Sequence, residues 1–219
     1  MQFRSQMTSA GVNRWLLHPL VKPAVFVMCS LPLCWLAFAV LTDRLGANPA
    51  EALIRSLGDW SIRALVLVLL VTPLRVMTGW TALARWRRML GLFAFFYASQ
   101  HLMAYVLFDM DGDVFAVTRD VVQRPFILLG MLAWLLLLCL ALTSFDRVIR
   151  WMGAARWRAL HRLVYVSAVL VTIHFFWMRS GKNDHAEVWL YAALFSALLG
   201  WRALSGRKSG PRQVGDAMR

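Results

Sequence analysis

Residues 89–108 read MLGLFAFFYASQHLMAYVLF, an uncharged run interrupted by a single histidine, His101. About twenty helical residues at 1.5 Å each cross roughly 30 Å of hydrocarbon, so this stretch has the length and polarity of a transmembrane helix. A neutral imidazole carries a donor and an acceptor that lipid cannot satisfy. A histidine at this depth therefore faces a bundle interior and marks a functional position.

Five further apolar runs flank it, near 21–41, 60–78, 125–143, 159–178 and 187–204. With 60% hydrophobic and 16% charged residues in 219, the chain reads as an all-α polytopic helix bundle of six transmembrane helices, a single membrane domain over 1–219. Tryptophans at the ends of the runs (Trp15, Trp60, Trp80, Trp86, Trp151, Trp177, Trp201) suit the two aromatic belts of a bilayer. The first run is longer than a signal-peptide core and follows a long leader, so it is expected to stay as a span. The polar tail, about 205–219, is expected to be disordered.

Charge sets the orientation. With an inside N-terminus, the inner segments hold seventeen Lys and Arg against two acids, Asp146 and Asp216, while the outer segments hold seven against nine. Basic residues of short loops stay on the cytoplasmic side, so both termini are expected there. The net charge of +13 is thus a topology signal, and no basic groove or soluble module accompanies it to suggest nucleic acid. Cys29, Cys34 and Cys139 fall inside spans and form no CxxC pair, which leaves a thiol relay without support. The chain also lacks GxGxxG and GxxxxGK[ST] fingerprints and any soluble segment long enough for a nucleotide-binding domain. Reducing equivalents must then come from a membrane-soluble donor or another protein.

The remaining intramembrane histidines are His161 and His174, in LHRLVYVSAVLVTIHFFW. Counting from the basic residues where each span starts, His101 lies about 20 Å deep, His174 about 24 Å and His161 about 5 Å. The first two share a depth in the outer half of the membrane. No intramembrane carboxylate accompanies them to suggest a proton relay, and axial ligation of haem iron is the chemistry that two facing imidazoles serve. On a continuous ideal helix His161 and His174 point some 140° apart, so His161 is read either as an interfacial residue or as part of a separate site. His18 and His185 are read as solvated or interfacial.

The segments RRMLGLFAFFYASQHLMAY, RPFILLGMLAWLLLLCLALTS and RWRALHRLVYVSAVLVTIHFFW, with LGANP and VTPLR before them, resemble the MsrQ (YedZ) family. These are the haem-binding membrane subunits of periplasmic methionine sulfoxide reductase systems, within the ferric reductase-like transmembrane group that includes NADPH oxidases. The likeness covers all six spans. It implies haem b, one or two, with iron ligands at His101 and His174 and His161 as the third family histidine. It also implies FMN, for which the sequence shows no local motif. Span 3 has one histidine where the oxidases have two, which counts against a conventional second bis-histidine haem.

The function implied is an electron conduit of the bacterial inner membrane. Electrons would come from the quinone pool or a flavin reductase and pass to the periplasmic molybdopterin subunit MsrP. The chain is then an electron-transfer subunit of an oxidoreductase rather than its catalytic subunit. Arg119, Arg124 and Arg179 are candidates for haem propionates, and Arg75, Arg85, Arg87, Arg88, Arg158 and Arg162 for an FMN phosphate or a flavin reductase. Two other classes stay open: a standalone transmembrane ferric-chelate reductase, and a non-redox scaffold or transporter.

Overall fold

The computed structural model describes residues 2–180 and 185–207, and the expected disordered tail falls largely outside them. Ten helices follow one another: α1 (Gln2–Leu16), α2 (Val21–Leu41), α3 (Pro49–Thr78), α4 (Arg87–Phe108), α5 (Val114–Gln123), α6 (Pro125–Leu142), α7 (Asp146–Met152), α8 (Ala154–Leu160), α9 (Leu163–Ser180) and α10 (Ala186–Arg207). A 3-10 turn, Thr81–Trp86, leads into α4. Among the described residues there is no strand, and six helical stretches are long and apolar enough to cross a membrane. The chain is an all-α polytopic membrane protein.

The bundle is built on two close helix pairs, α3 with α4 and α6 with α9. α4 joins the pairs by packing on α6, while α10 covers α9 and α3. Small residues let these backbones approach: Ala94, Ala168 and Ser167 are fully buried. Polar side chains stitch the interior, with Ser61 donating to Ala94 O at 3.0 Å, Tyr97 to Cys29 O at 2.7 Å and Trp134 to Ser99 Oγ at 3.0 Å. Outside, the pattern inverts. Phe26, Met28, Leu31 and Trp35 of α2 are exposed, as lipid-facing side chains are.

One end of the bundle carries α1, the 3-10 turn, α7 and α8, and is called the basic end here. The other carries α5 and the start of α3. At the basic end Gly79 stops α3 in a left-handed conformation (φ 74°), and α1 docks on that stop. Asn13 donates to Gly79 O and accepts from Ala82 N, each at 3.1 Å. At the α5 end, Asp113 caps α5 by accepting from Phe115 N at 2.8 Å and Ala116 N at 3.2 Å. Asp120 is buried there, accepting from Tyr105 Oη at 2.6 Å and paired with Arg124 at 2.8 Å, so α5 is tied to α4 and to the start of α6.

Two expectations need correcting. Hydropathy starts the second span near residue 60, but α3 starts at Pro49, with Asn48 capping it by accepting from Glu51 N at 3.2 Å. Glu51, Arg55 and Asp59 therefore lie on the helix rather than in a loop. Asp59 thus joins the same helix as Gly58, which lies against the His101 ring. The cause is that capping and tertiary partners extend a helix through charged turns that an apolar window cannot include. The second correction concerns His161. Residues 161–162 form a turn between α8 and α9, so His161 and His174 do not share a helix and their angle on an ideal one does not apply.

Candidate functional site

His101 lies in the second half of α4 and His174 in the second half of α9, so each helix pair contributes one imidazole toward the α5 end. The rings face each other edge to face, 6.3 Å between centroids with planes at 80°. Two imidazoles sharing one metal through single nitrogens, at about 2 Å per bond, have centroids on the order of 6 Å apart. The observed spacing matches.

The hydrogen bonds settle which nitrogen is available. His101 Nδ1 is 2.8 Å from Ile54 O on α3, and His174 Nδ1 is 2.6 Å from Phe126 O on α6. A carbonyl only accepts, so both Nδ1 atoms carry the proton and both Nε2 lone pairs are left for a ligand. Neither Nε2 has a hydrogen-bond partner among the described residues. Each ring lies against a glycine of the same helix that accepts its proton. A Cβ on Gly58 would stand 3.1 Å from His101 Nδ1, and one on Gly130 would stand 2.9 Å from His174 Nδ1.

No cluster of three or more His, Cys, Asp or Glu suited to a metal ion occurs among the described residues. A bare ion would find only two donors here. A macrocycle that brings its own four equatorial nitrogens needs just the two axial ligands this pair offers, so the donor set fits haem.

The other histidines lie apart. His161 stacks on Trp157 with centroids 4.0 Å apart, and its Nε2 is 3.3 Å from Thr143 Oγ1. The Thr143 hydroxyl donates to Cys139 O at 2.8 Å, which leaves Oγ1 to accept from His161 Nε2–H. Its tautomer is then the reverse of the pair's. Beside it, at the basic end, is a cavity of about 290 Å³ between the two helix pairs, with His161, Arg87, Arg88, Ser144 and Trp157 among its walls. His18 Nδ1 accepts from Leu20 N at 3.3 Å at the start of α2, and the His185 ring lies 5.4 Å from that of Phe176.

The candidate cations are unequally placed. Arg179 is buried, held to Glu187 at 2.7 Å and stacked on Phe175, and Arg124 is engaged by Asp120. Arg119 is exposed on α5. In the basic set Arg88 is paired with Asp146 at 2.6 Å and Arg85 reaches Leu17 O at 3.4 Å. Arg87 lines the cavity beside His161, while Arg75, Arg158 and Arg162 are exposed. Gly58, Gly130 and the carbonyls of Ile54 and Phe126 were not legible as site residues. A glycine in an apolar run signals close packing without naming its neighbour.

A six-span bundle with one imidazole from each of two helix pairs defines a class, and the family model described as ferric reductase-like transmembrane component matches residues 57–172. Three relatives carry the name protein-methionine-sulfoxide reductase heme-binding subunit MsrQ. That of Polaromonas naphthalenivorans is 54% identical over 94% of both chains. That of Herminiimonas arsenicoxydans is 45% identical over 82% of this chain and 83% of its own. That of Ralstonia nicotianae is 43% identical over 87% of this chain and 89% of its own. The chain belongs to the MsrQ family, within the ferric reductase-like transmembrane group. No solved structure matches it.

Proposed function

We propose that this protein is a b-type haem electron-transfer subunit of the bacterial inner membrane, with both termini cytoplasmic, delivering electrons outward to a periplasmic methionine sulfoxide reductase. The observation that carries this is the His101–His174 pair, whose rings lie 6.3 Å apart between centroids, the spacing of two imidazoles on one iron, with each Nδ1 engaged by a backbone carbonyl and each Nε2 left for a ligand. The names of the relatives, heme-binding subunits of a protein-methionine-sulfoxide reductase, support it from the other side.

His101 and His174 would hold the iron, with the Ile54 and Phe126 carbonyls orienting the rings. When bound, haem would supply one-electron transfer, and two imidazole ligands would suit it to transfer rather than to oxygen chemistry. Sulfoxide reduction takes two electrons, so the subunit delivers them one at a time and leaves the chemistry to its partner, the molybdopterin protein MsrP. The α5 end is periplasmic in this orientation, which puts the pair in the outer half of the membrane, on MsrP's side. The basic end, with its cavity beside His161, receives electrons from the quinone pool or a flavin reductase. It is also where FMN or a second haem would sit. Of the three candidates for the propionates, Arg119 and Arg124 are exposed, and Arg124 is already paired with Asp120.

The test is spectroscopic. Purified from haem-replete cells, the protein is expected to give a b-type reduced-minus-oxidised spectrum, and a colourless preparation overturns the proposal. Electrons loaded from quinol should drain from the haem only when MsrP is added. Drainage to ferric chelate alone would favour the standalone reductase.

A further inference from the structure

The two histidines are held by one device used twice. In α3 the carbonyl that accepts from His101 belongs to Ile54, four residues before Gly58; in α6 the carbonyl that accepts from His174 belongs to Phe126, four before Gly130. Acceptor and histidine are 47 residues apart in the first pair and 48 in the second. Within a helix the carbonyl of residue i already accepts from the N–H of residue i+4, so an outside donor must reach its second lone pair past the side chain of i+4. Glycine at i+4 removes that obstacle. Each ring stands tight against the position a Cβ would take, 3.1 Å away at Gly58 and 2.9 Å at Gly130.

Resting on the reading that His101 and His174 are the haem ligands, we infer that Gly58 and Gly130 are positioning residues. By opening the Ile54 and Phe126 carbonyls to the imidazole Nδ1–H groups, they set the orientation and electron-donating strength of the two iron ligands. Hydrogen bonding at the remote nitrogen makes an imidazole a more basic ligand, which favours ferric over ferrous iron and lowers the reduction potential. The two positions are not equal. A Cβ at Gly130 meets the His174 ring at 2.9 Å, so the ring must move, whereas at Gly58 the nearest ring atom is 3.1 Å away and a few tenths of an ångström suffice. The His174 bond is also the shorter, 2.6 Å against 2.8 Å.

The experiment compares Gly58→Ala, Gly130→Ala and Gly200→Ala in the full-length protein. Gly200 lies on α10 with nothing within 4 Å of its would-be Cβ, so it controls for alanine in a helix. Three readouts apply: haem per protein, midpoint potential, and the low-spin ferric electron paramagnetic resonance signal. Gly58→Ala is expected to keep its haem with a more positive potential and altered g-values. Gly130→Ala should show a larger shift of the same sign or reduced haem content, and Gly200→Ala should match the parent. Should Gly130→Ala fail to accumulate, Gly58→Ala alone decides. Potentials and g-values identical to the parent in the haem-loaded glycine variants overturn the inference while leaving the ligands in place. His101→Ala and His174→Ala that keep the parent spectrum would instead remove the reading on which it rests.

Discussion

The two ends of this bundle treat a histidine in opposite ways. Toward the α5 end, His101 and His174 each donate from Nδ1 to a helix carbonyl, lie against a glycine and leave Nε2 free. At the basic end, His161 sits in a turn, stacks on Trp157 and has Nε2 engaged by a threonine hydroxyl, with a cavity beside it. Identical side chains thus have different chemistry because their neighbours differ. A ring locked by a backbone carbonyl is prepared as a ligand, whereas a ring held by a side-chain hydroxyl beside open space can change partner when something enters. Backbone acceptors within a helix cannot rotate away, and that rigidity is what an axial ligand needs.

The largest effect should come from deleting a ring at the α5 end. His101→Ala or His174→Ala is expected to abolish the bis-imidazole haem, read as loss of its low-spin ferric signal, whereas His161→Ala should retain that signal. Equal loss in all three variants would erase the distinction between the ends. A smaller change should follow from filling the basic-end cavity. Ala141 lines it, and Ala141→Trp is expected to slow haem reduction by quinol or flavin reductase severalfold while the dithionite-reduced spectrum stays as in the parent. An unchanged rate would move the donor's entry elsewhere. The smallest effect concerns how α5 closes its end. Tyr105 is one helical turn beyond His101 and donates to buried Asp120 at 2.6 Å, so Tyr105→Phe should cost about 1–3 kcal/mol by stranding an acceptor. Thermal unfolding in detergent measures this, and a midpoint equal to the parent's would mean that solvent already satisfies Asp120.

Much of this was visible in the order of residues. Apolar runs of membrane-crossing length announced six spans because lipid forces every backbone group into a helix and penalises charge. Depth counting singled out His101 and His174, since rise per residue is constant along a helix. The start of α3 was missed for a complementary reason. The helix starts at a cap, Asn48, and runs through turns that carry Glu51, Arg55 and Asp59, which an apolar window does not include.

Composition and order alone therefore determined the class, the number of spans, the charge asymmetry and the two histidines at one depth, all of which follow from one-dimensional spacing against a slab of fixed thickness. Tertiary structure decided the rest. It paired α3 with α4 and α6 with α9, aimed the two rings at each other, chose Nδ1 as the protonated nitrogen, and assigned Gly58 and Gly130 their neighbours. Those are relations between helices, and which carbonyl a side chain reaches depends on how two backbones pack, which no spacing within either helix encodes.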